Sequence, residues 1–133
     1  MKANQIFAAA ALILAGALAP HVAQAQWPGI TRTDLMRDDL SVPGREVIQA
    51  LVKFAPGVSA PRHSHPGEEL VYVVEGAFEY QLDGRPPVIV KAGEVLFIPA
   101  GTPHAVKNVG SGNAAELATY IVEKGQSLIT LGK

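Results

Sequence analysis

The chain has 133 residues, with 11 basic and 12 acidic side chains and no cysteine. This length predicts one domain, and a chain without thiols can have neither disulfides nor thiolate metal sites. The basic residues are not clustered, which argues against nucleic acid as a partner.

The first 25 residues have the pattern of a cleaved secretory signal. Lys2 precedes an apolar run over residues 6–19, Pro20 ends that run, and Ala23-Gln24-Ala25 is the small-x-small pattern that signal peptidase reads. The run is shorter than the roughly 20 apolar residues that cross a bilayer. We therefore predict cleavage after Ala25, a periplasmic or secreted mature protein that begins at Gln26, and no membrane contact after cleavage.

The mature chain alternates short apolar runs with turn residues, which is typical of an all-β sandwich or barrel. In the leading segment, residues 30–33 fit a strand and Ser41–Gly44 a turn. Seven runs rich in β-branched and aromatic residues follow: Glu46–Phe54, Glu69–Glu75, Ala77–Leu82, Pro87–Lys91, Glu94–Ile98, His104–Val109 and Glu116–Glu123. Turn pairs such as Asp83-Gly84 separate them, and no run keeps a helical period. Residues 26–133 are therefore predicted to form a single β domain.

Two segments of the mature chain place metal-binding side chains at regular intervals. In the first, Gly57 precedes His63 and His65, and Glu69 and Gly76 follow. Because side chains alternate along an extended chain, both imidazoles should point to one face, and Glu69 opens the next strand.

The second segment begins at Gly93 and continues through Pro99 and Gly101 to His104 and Asn108. Singly, each of these residues is more often an ordinary surface, core or turn residue than part of a site. All three histidines of the mature chain nevertheless lie in the two segments. An antiparallel barrel can bring them together, and three imidazoles with one carboxylate suit a divalent transition metal that keeps open positions.

The two segments resemble the two characteristic motifs of the cupin superfamily, with every defining position present and 16 residues (77–92) between them. The resemblance extends to small single-domain cupins of the quercetin-dioxygenase-like and type-2 conserved-barrel kind. It implies a double-stranded β-helix, a jelly-roll-like barrel. It also implies His63, His65, Glu69 and His104 as ligands of one divalent ion (iron, manganese, nickel, copper or zinc), and a homodimer.

Activities vary widely within this superfamily, so three functions stay open. The first is an oxidoreductase of dioxygenase type, in which the metal binds an enol or phenol-like substrate and Glu69 serves as ligand and base. The second is a non-redox isomerase, cyclase or lyase with the metal as Lewis acid. The third is a small-molecule or metal-binding protein without turnover.

Strand alternation also indicates which side chains face the interior. Val71 and Val73 share the parity of Glu69, and Val106 that of His104. Candidates for the pocket wall are Phe54, Phe78, Tyr80, Phe97 and Tyr120. With no evident Arg or Lys directed inside, this interior favours a small, largely neutral organic ligand. We interpret Asn108 as a structural residue that orients a loop.

Overall fold

A computed structural model describes residues 27–132, and the predicted signal peptide lies outside the described residues. This part of the chain holds ten strands and no helix, which confirms the all-β prediction. They are β1 (Ile30–Asp39), β2 (Arg45–Phe54), β3 (Ser59–Ser64), β4 (Glu68–Glu75), β5 (Ala77–Leu82), β6 (Val88–Lys91), β7 (Val95–Ile98), β8 (His104–Asn108), β9 (Ala114–Glu123) and β10 (Thr130–Leu131). Between residues 27 and 132, no helix is long and apolar enough to span a bilayer.

The strands form two antiparallel five-stranded sheets, as expected for a jelly-roll-like barrel. The first sheet has the order β1-β2-β9-β4-β7, and the second has the order β10-β3-β8-β5-β6. Strand β9, late in the chain, lies between β2 and β4, so the first sheet depends on pairings between distant parts of the sequence.

Alternating apolar side chains build the core between the two sheets. Strand β2 buries Ile48, Ala50, Val52 and Phe54 on one face, because successive side chains point to opposite faces of a sheet. At one end of the interior, Phe54 meets Phe78 of the second sheet edge to face, with ring centroids 5.0 Å apart. The other end of the interior is polar, and it holds the histidines.

Strand β3 was not among the predicted apolar runs, although it carries His63. Its sequence has few apolar residues, and its pairing with β8 is irregular between Ala60 and His63. The strand is held instead by neighbours on both sides, β8 and β10. The Asp83-Gly84 turn is present, but β6 begins only at Val88, because the two prolines before it have no N–H to pair.

Two glycines shape the loops beside the histidines. A Cβ at Gly67 would overlap the carbonyl oxygen of Ile121, so the β3–β4 loop packs closely on β9 only with glycine there. Gly101 has a φ of 69°, a left-handed conformation that favours glycine. Its N–H donates to the carbonyl of His65 over 3.0 Å and ties the two histidine loops together.

Candidate metal centre

The three histidines of the mature chain converge inside the barrel. His63 of β3 and His104 of β8 are register partners in the second sheet, and His65 follows directly after β3. The ring centroids lie 4.4 Å apart for His63 and His104, 5.0 Å for His63 and His65, and 5.3 Å for His65 and His104. All three side chains are buried, and one nitrogen from each lies within 4.8 Å of the others.

Backbone carbonyls fix the orientation of each imidazole. Nδ1 of His63 lies 2.7 Å from the carbonyl oxygen of Pro61, Nδ1 of His65 lies 2.7 Å from that of Leu128, and Nδ1 of His104 lies 3.0 Å from that of Thr102. A carbonyl only accepts hydrogen bonds, so each Nδ1 carries the proton and donates. In a neutral ring the lone pair is then on Nε2, and outer hydrogen bonds of this kind orient histidine ligands of metals.

Glu69 reaches the histidines from the first sheet. Its Oε2 lies 3.2 Å from Nε2 of His65 and 3.4 Å from Nε2 of His104. Among residues 27–132, neither this oxygen nor Nε2 of His65 has a hydrogen-bond partner, and both are buried. Lone pairs that face each other at this distance repel unless a proton or a cation lies between them, so the donor set fits a divalent metal ion.

The surroundings hold His63 and Glu69 in the protonation states that metal binding requires. Burial, together with the charge of nearby His104, lowers the pKa of His63 to about 4. Burial by itself would raise the pKa of Glu69, but a proton shared with Nε2 of His104 or His65 outweighs it and holds that pKa below its usual range. At neutral pH His63 is therefore a neutral imidazole and Glu69 a carboxylate, which are the ligand forms of these residues.

A cavity of about 750 Å³ opens above the four residues. Trp27 lies at its wall with its ring centroid 5.1 Å from that of His63, and the ring of Tyr120 lies 4.7 Å from that of His65. The apolar part of the lining comes from Ile30, Val52, Phe54, Ala60, Val106 and Ile129. This volume suits a small organic molecule.

A buried acid in this cavity was not predicted from the sequence. Glu116 of β9 accepts a hydrogen bond from the hydroxyl of Tyr80, which crosses from the opposite sheet. Burial and the charge of Glu69 raise the pKa of Glu116 to about 8. The sequence did contain a signal for this acid. Strand alternation places Glu116 on the same inward-facing side of β9 as Ala114, Ala118 and Tyr120.

Three of the five aromatic residues predicted for the pocket wall line the cavity, and two do not. Phe54, Tyr80 and Tyr120 line the cavity as expected. Phe78 is fully buried in the core against Phe54 and is not part of the lining. Phe97 is 52 % exposed, so its placement in the wall is wrong. The reason is parity, since Phe97 alternates with the buried Ile98 and pairs with the outward-facing Leu70.

The expectation of an interior free of basic side chains is also wrong. Strand β1 continues to Asp39, well beyond the predicted residues 30–33, and its inward-facing Arg32 lines the cavity. The guanidinium carbon lies 5.3 Å from the ring centroid of Tyr120. The prediction of a largely neutral ligand depended on an interior without Arg or Lys. Arg32 removes the support for that prediction.

The predicted inward residues Val71, Val73 and Val106 are all buried. Asn108 is fully buried at the opposite end of β8 from His104. Its amide donates to the carbonyls of Phe54, Ala55 and Gly112, and its oxygen accepts from Gly110. These contacts support the structural interpretation of Asn108.

Known proteins share both the motif region and the fold. The cupin domain family model matches residues 50–122, more than half of the chain. The dimethylsulfoniopropionate lyase DddQ of Ruegeria pomeroyi is 36% identical over 61 residues, which cover 45% of this chain and 30% of the lyase. An oxalate-binding protein of Thermotoga maritima is 35% identical over 74 residues, which cover 55% of this chain and 60% of that protein.

Among solved structures, a cupin-like protein of Thermotoga maritima superposes with a TM-score of 0.64 at 25% identity, covering 77% of this chain and 75% of that one. The match thus covers less than a third of the length of the lyase and 60% of the length of the oxalate-binding protein. The match over the motif region and the two-sheet architecture agree with each other. This chain belongs to the cupin family.

Proposed function

We propose that this protein binds one divalent transition metal ion through His63, His65, Glu69 and His104 and uses it to transform a small organic molecule. The observation that carries the proposal is the meeting of three oriented imidazoles and one unpaired buried carboxylate below a cavity. Iron, manganese, nickel, copper and zinc all suit such nitrogen and oxygen donors.

The reaction that we propose is of dioxygenase type on an enol or phenol-like substrate. When bound, a redox-active ion supplies the means to activate O₂ and an electrophilic centre for the substrate oxygen. The chain supplies the rest: the apolar walls exclude water, and Tyr120 and Trp27 offer faces for a planar substrate. We assign the proton of the substrate hydroxyl to the carboxylate of Glu69, which lies beside Nε2 of His65 and of His104.

A second candidate is a metal-dependent lyase or isomerase that consumes no O₂. The Tyr80–Glu116 pair favours it, because a buried hydroxyl and carboxyl that share a hydrogen bond can deliver and accept a proton beside a bound substrate. The similarity to a dimethylsulfoniopropionate lyase supports the same class. A binding protein without turnover would contain the same ligands but would need no acid pair.

The ligand set is tested by metal analysis of single variants. We expect purified tag-free protein to contain about one metal ion per chain, and His63→Ala, His104→Ala and Glu69→Gln to lose tight binding while staying folded by circular dichroism. Glu68→Gln is the matched control, since Glu68 is the preceding residue and forms a half-buried ion pair with Arg45, away from the histidines. Near-normal metal content in the histidine variants would contradict the ligand set.

The reaction class is tested by metal replacement. Oxygen uptake with a phenolic substrate after loading with Fe(II), Mn(II), Ni(II) or Cu(II), and none with Zn(II), would support the dioxygenase. Turnover that is equal with zinc and unchanged without O₂ would favour the lyase or isomerase instead.

We also propose that the protein is exported and works outside the cytoplasm. The support is the signal pattern of residues 1–25. Amino-terminal sequencing of the protein from fractionated cells should give Gln26 as the first residue of the mature chain. An intact Met1 in the cytoplasmic fraction would contradict export.

A further inference from the structure

Arg32 is the one arginine or lysine in the cavity lining among residues 27–132. It lies on the inward-facing side of β1, opposite Val52 of β2 in register. Its side chain is only 16 % exposed, whereas Arg37, farther along the same strand, is 63 % exposed. The guanidinium therefore belongs to the interior rather than to the surface.

The hydrogen bonds of Arg32 are incomplete. Its Nε donates to Oδ1 of Asp34 over 2.7 Å, but Nη2 is buried and has no partner within the described part of the chain. A guanidinium offers five donors in a planar fork, and a buried donor without a partner costs free energy. Tyr120 compensates only in part. Its ring centroid lies 5.3 Å from the guanidinium carbon and the charge of Arg32 acts on its hydroxyl, but Nη2 makes no hydrogen bond of normal length and angle with it.

The missing partner should be an acceptor brought by a ligand. Tyr120 lies between the two sites, with its ring 5.3 Å from the guanidinium carbon of Arg32 and 4.7 Å from the ring of His65. A molecule that reaches past this one ring can touch Arg32 at one end and the histidine cluster at the other.

We propose that Arg32 binds a carboxylate of the substrate, so that the cavity takes small organic acids whose second oxygen faces the histidines. The inference rests on the proposed function for the second end of the ligand, but the contact with Arg32 does not need the metal. A carboxylate matches the guanidinium fork in shape and charge.

The charges around Arg32 favour a singly charged group over a phosphate. Asp34 already neutralises one edge of the guanidinium, and the carboxylate of Glu69 also lines the cavity. A doubly charged phosphate would lie close to these acidic groups with one half-neutralised cation to balance it. A carboxylate brings a single negative charge, which matches the one edge of the Arg32 guanidinium that has no partner.

The inference is tested by calorimetric titration with salicylate and its uncharged analogue salicylamide. The two probes share the phenol and the ring and differ in the carboxylate. We expect wild-type protein to bind salicylate more tightly than salicylamide, and Arg32→Gln to weaken salicylate binding at least tenfold without changing salicylamide binding. Arg37→Gln removes the same charge from the same strand outside the cavity and should change neither.

Two further variants protect the test from a folding defect in Arg32→Gln. Arg32→Lys keeps the charge without the fork and should bind salicylate with intermediate affinity. Asp34→Asn alters a side chain that is 64 % exposed and removes the competing negative charge. It should tighten salicylate binding by roughly two- to fivefold.

Each titration is run on zinc-loaded and on chelator-treated protein, with metal content measured on the same samples. Absence of metal from every sample would count against the proposed metal centre. The role of Arg32 would then be tested by the salicylate titrations of chelator-treated protein alone. Equal salicylate affinity of wild type and Arg32→Gln, tighter binding of inorganic phosphate than of salicylate, or no salicylate binding at all would overturn the inference.

Discussion

Glu116 is buried, and no cationic side chain among residues 27–132 pairs with it. Its side chain faces the cavity, and the one hydrogen bond that it accepts from the described residues comes from Tyr80. Burial raises the pKa of Tyr80 well above its ordinary value, so this hydroxyl keeps its proton and donates it to Glu116. With its own pKa at about 8, Glu116 keeps a proton at neutral pH and charges in mildly alkaline solution.

The raised pKa of Glu116 makes the stability of the metal-free protein depend on pH. The unfolded chain loses this proton near the ordinary value of 4.5, and the folded chain near 8. The stabilisation is therefore complete below pH 4.5 and is lost as the pH rises towards 8. Relative to Glu116→Gln, wild type should lose about 2 to 4 kcal/mol of unfolding free energy between pH 5 and pH 8.

Urea unfolding of chelated protein at the two pH values measures this difference. Glu123→Gln, at the exposed end of the same strand, is the control and should follow wild type. Parallel pH curves for wild type and Glu116→Gln would show that Glu116 titrates normally in the folded protein.

Asn108 is the second buried polar residue with a definable role. Its amide and oxygen contact the β2–β3 loop and the β8–β9 loop at once. Asn108→Ala should lower the unfolding free energy by about 2 to 4 kcal/mol, because several buried backbone groups lose their partners. Asn108→Asp keeps the size but not the donors and should also destabilise. Zinc content of both folded variants should stay normal, and a loss of metal with unchanged stability would contradict the structural role.

At the scale of elements, strands β4 and β7 present an apolar outer surface. Leu70 pairs with Phe97 and Tyr72 with Val95 across the two strands, and all four side chains are between 43 % and 73 % exposed. Contiguous apolar surface of this kind is typical of association sites. The homodimer predicted from the family resemblance would bury this surface between two copies of the chain.

We expect the mature protein to be a dimer by light scattering and Phe97→Glu to be a monomer, because a charge at the centre of the surface would be buried without a partner. Ile89→Glu is the matched control, since Ile89 is 45 % exposed on the second sheet. A monomeric wild type, or equal dissociation of both variants, would contradict dimerisation through this face.

Sequence patterns predicted the elements better than the cavity. Period-two alternation placed most of the strands and the inward direction of Val71 and Val106, because those positions depend on local parity. It did not place Phe97 correctly and it missed Arg32 and Glu116. Parity was a local signal for Glu116, but its contact with Tyr80 forms only where the two sheets pack together. Arg32 enters the cavity through the β1–β2 pairing, and the sequence pattern did not show how far β1 extends.

At the scale of the whole molecule, metal binding and folding should be linked. The four candidate ligands come from β3, β4, β8 and the loop after β3, so the unfolded chain does not hold them together. A metal at 100 times its dissociation constant adds about 2.7 kcal/mol of stability. For a domain of this size, zinc should raise the melting temperature by about 10 °C.

Differential scanning calorimetry with zinc and with chelator measures this shift. His104→Ala should show none of it, while Glu68→Gln should keep it in full. A shift of equal size in His104→Ala would mean that the stabilising ion binds elsewhere.

Both ends of the described chain meet the same short segment. Trp27 packs on the ring of His63, and near the other end Leu131 pairs with His63 while the carbonyl of Leu128 holds His65. The centre is thus assembled from the beginning, middle and end of the described residues, and His65 gains its acceptor only after Leu128 has been synthesised. We therefore expect metal loading to follow synthesis of the Leu128 segment. A polyhistidine tag joined next to Trp27 or Leu131 would be tethered beside the very site whose metal content is to be measured.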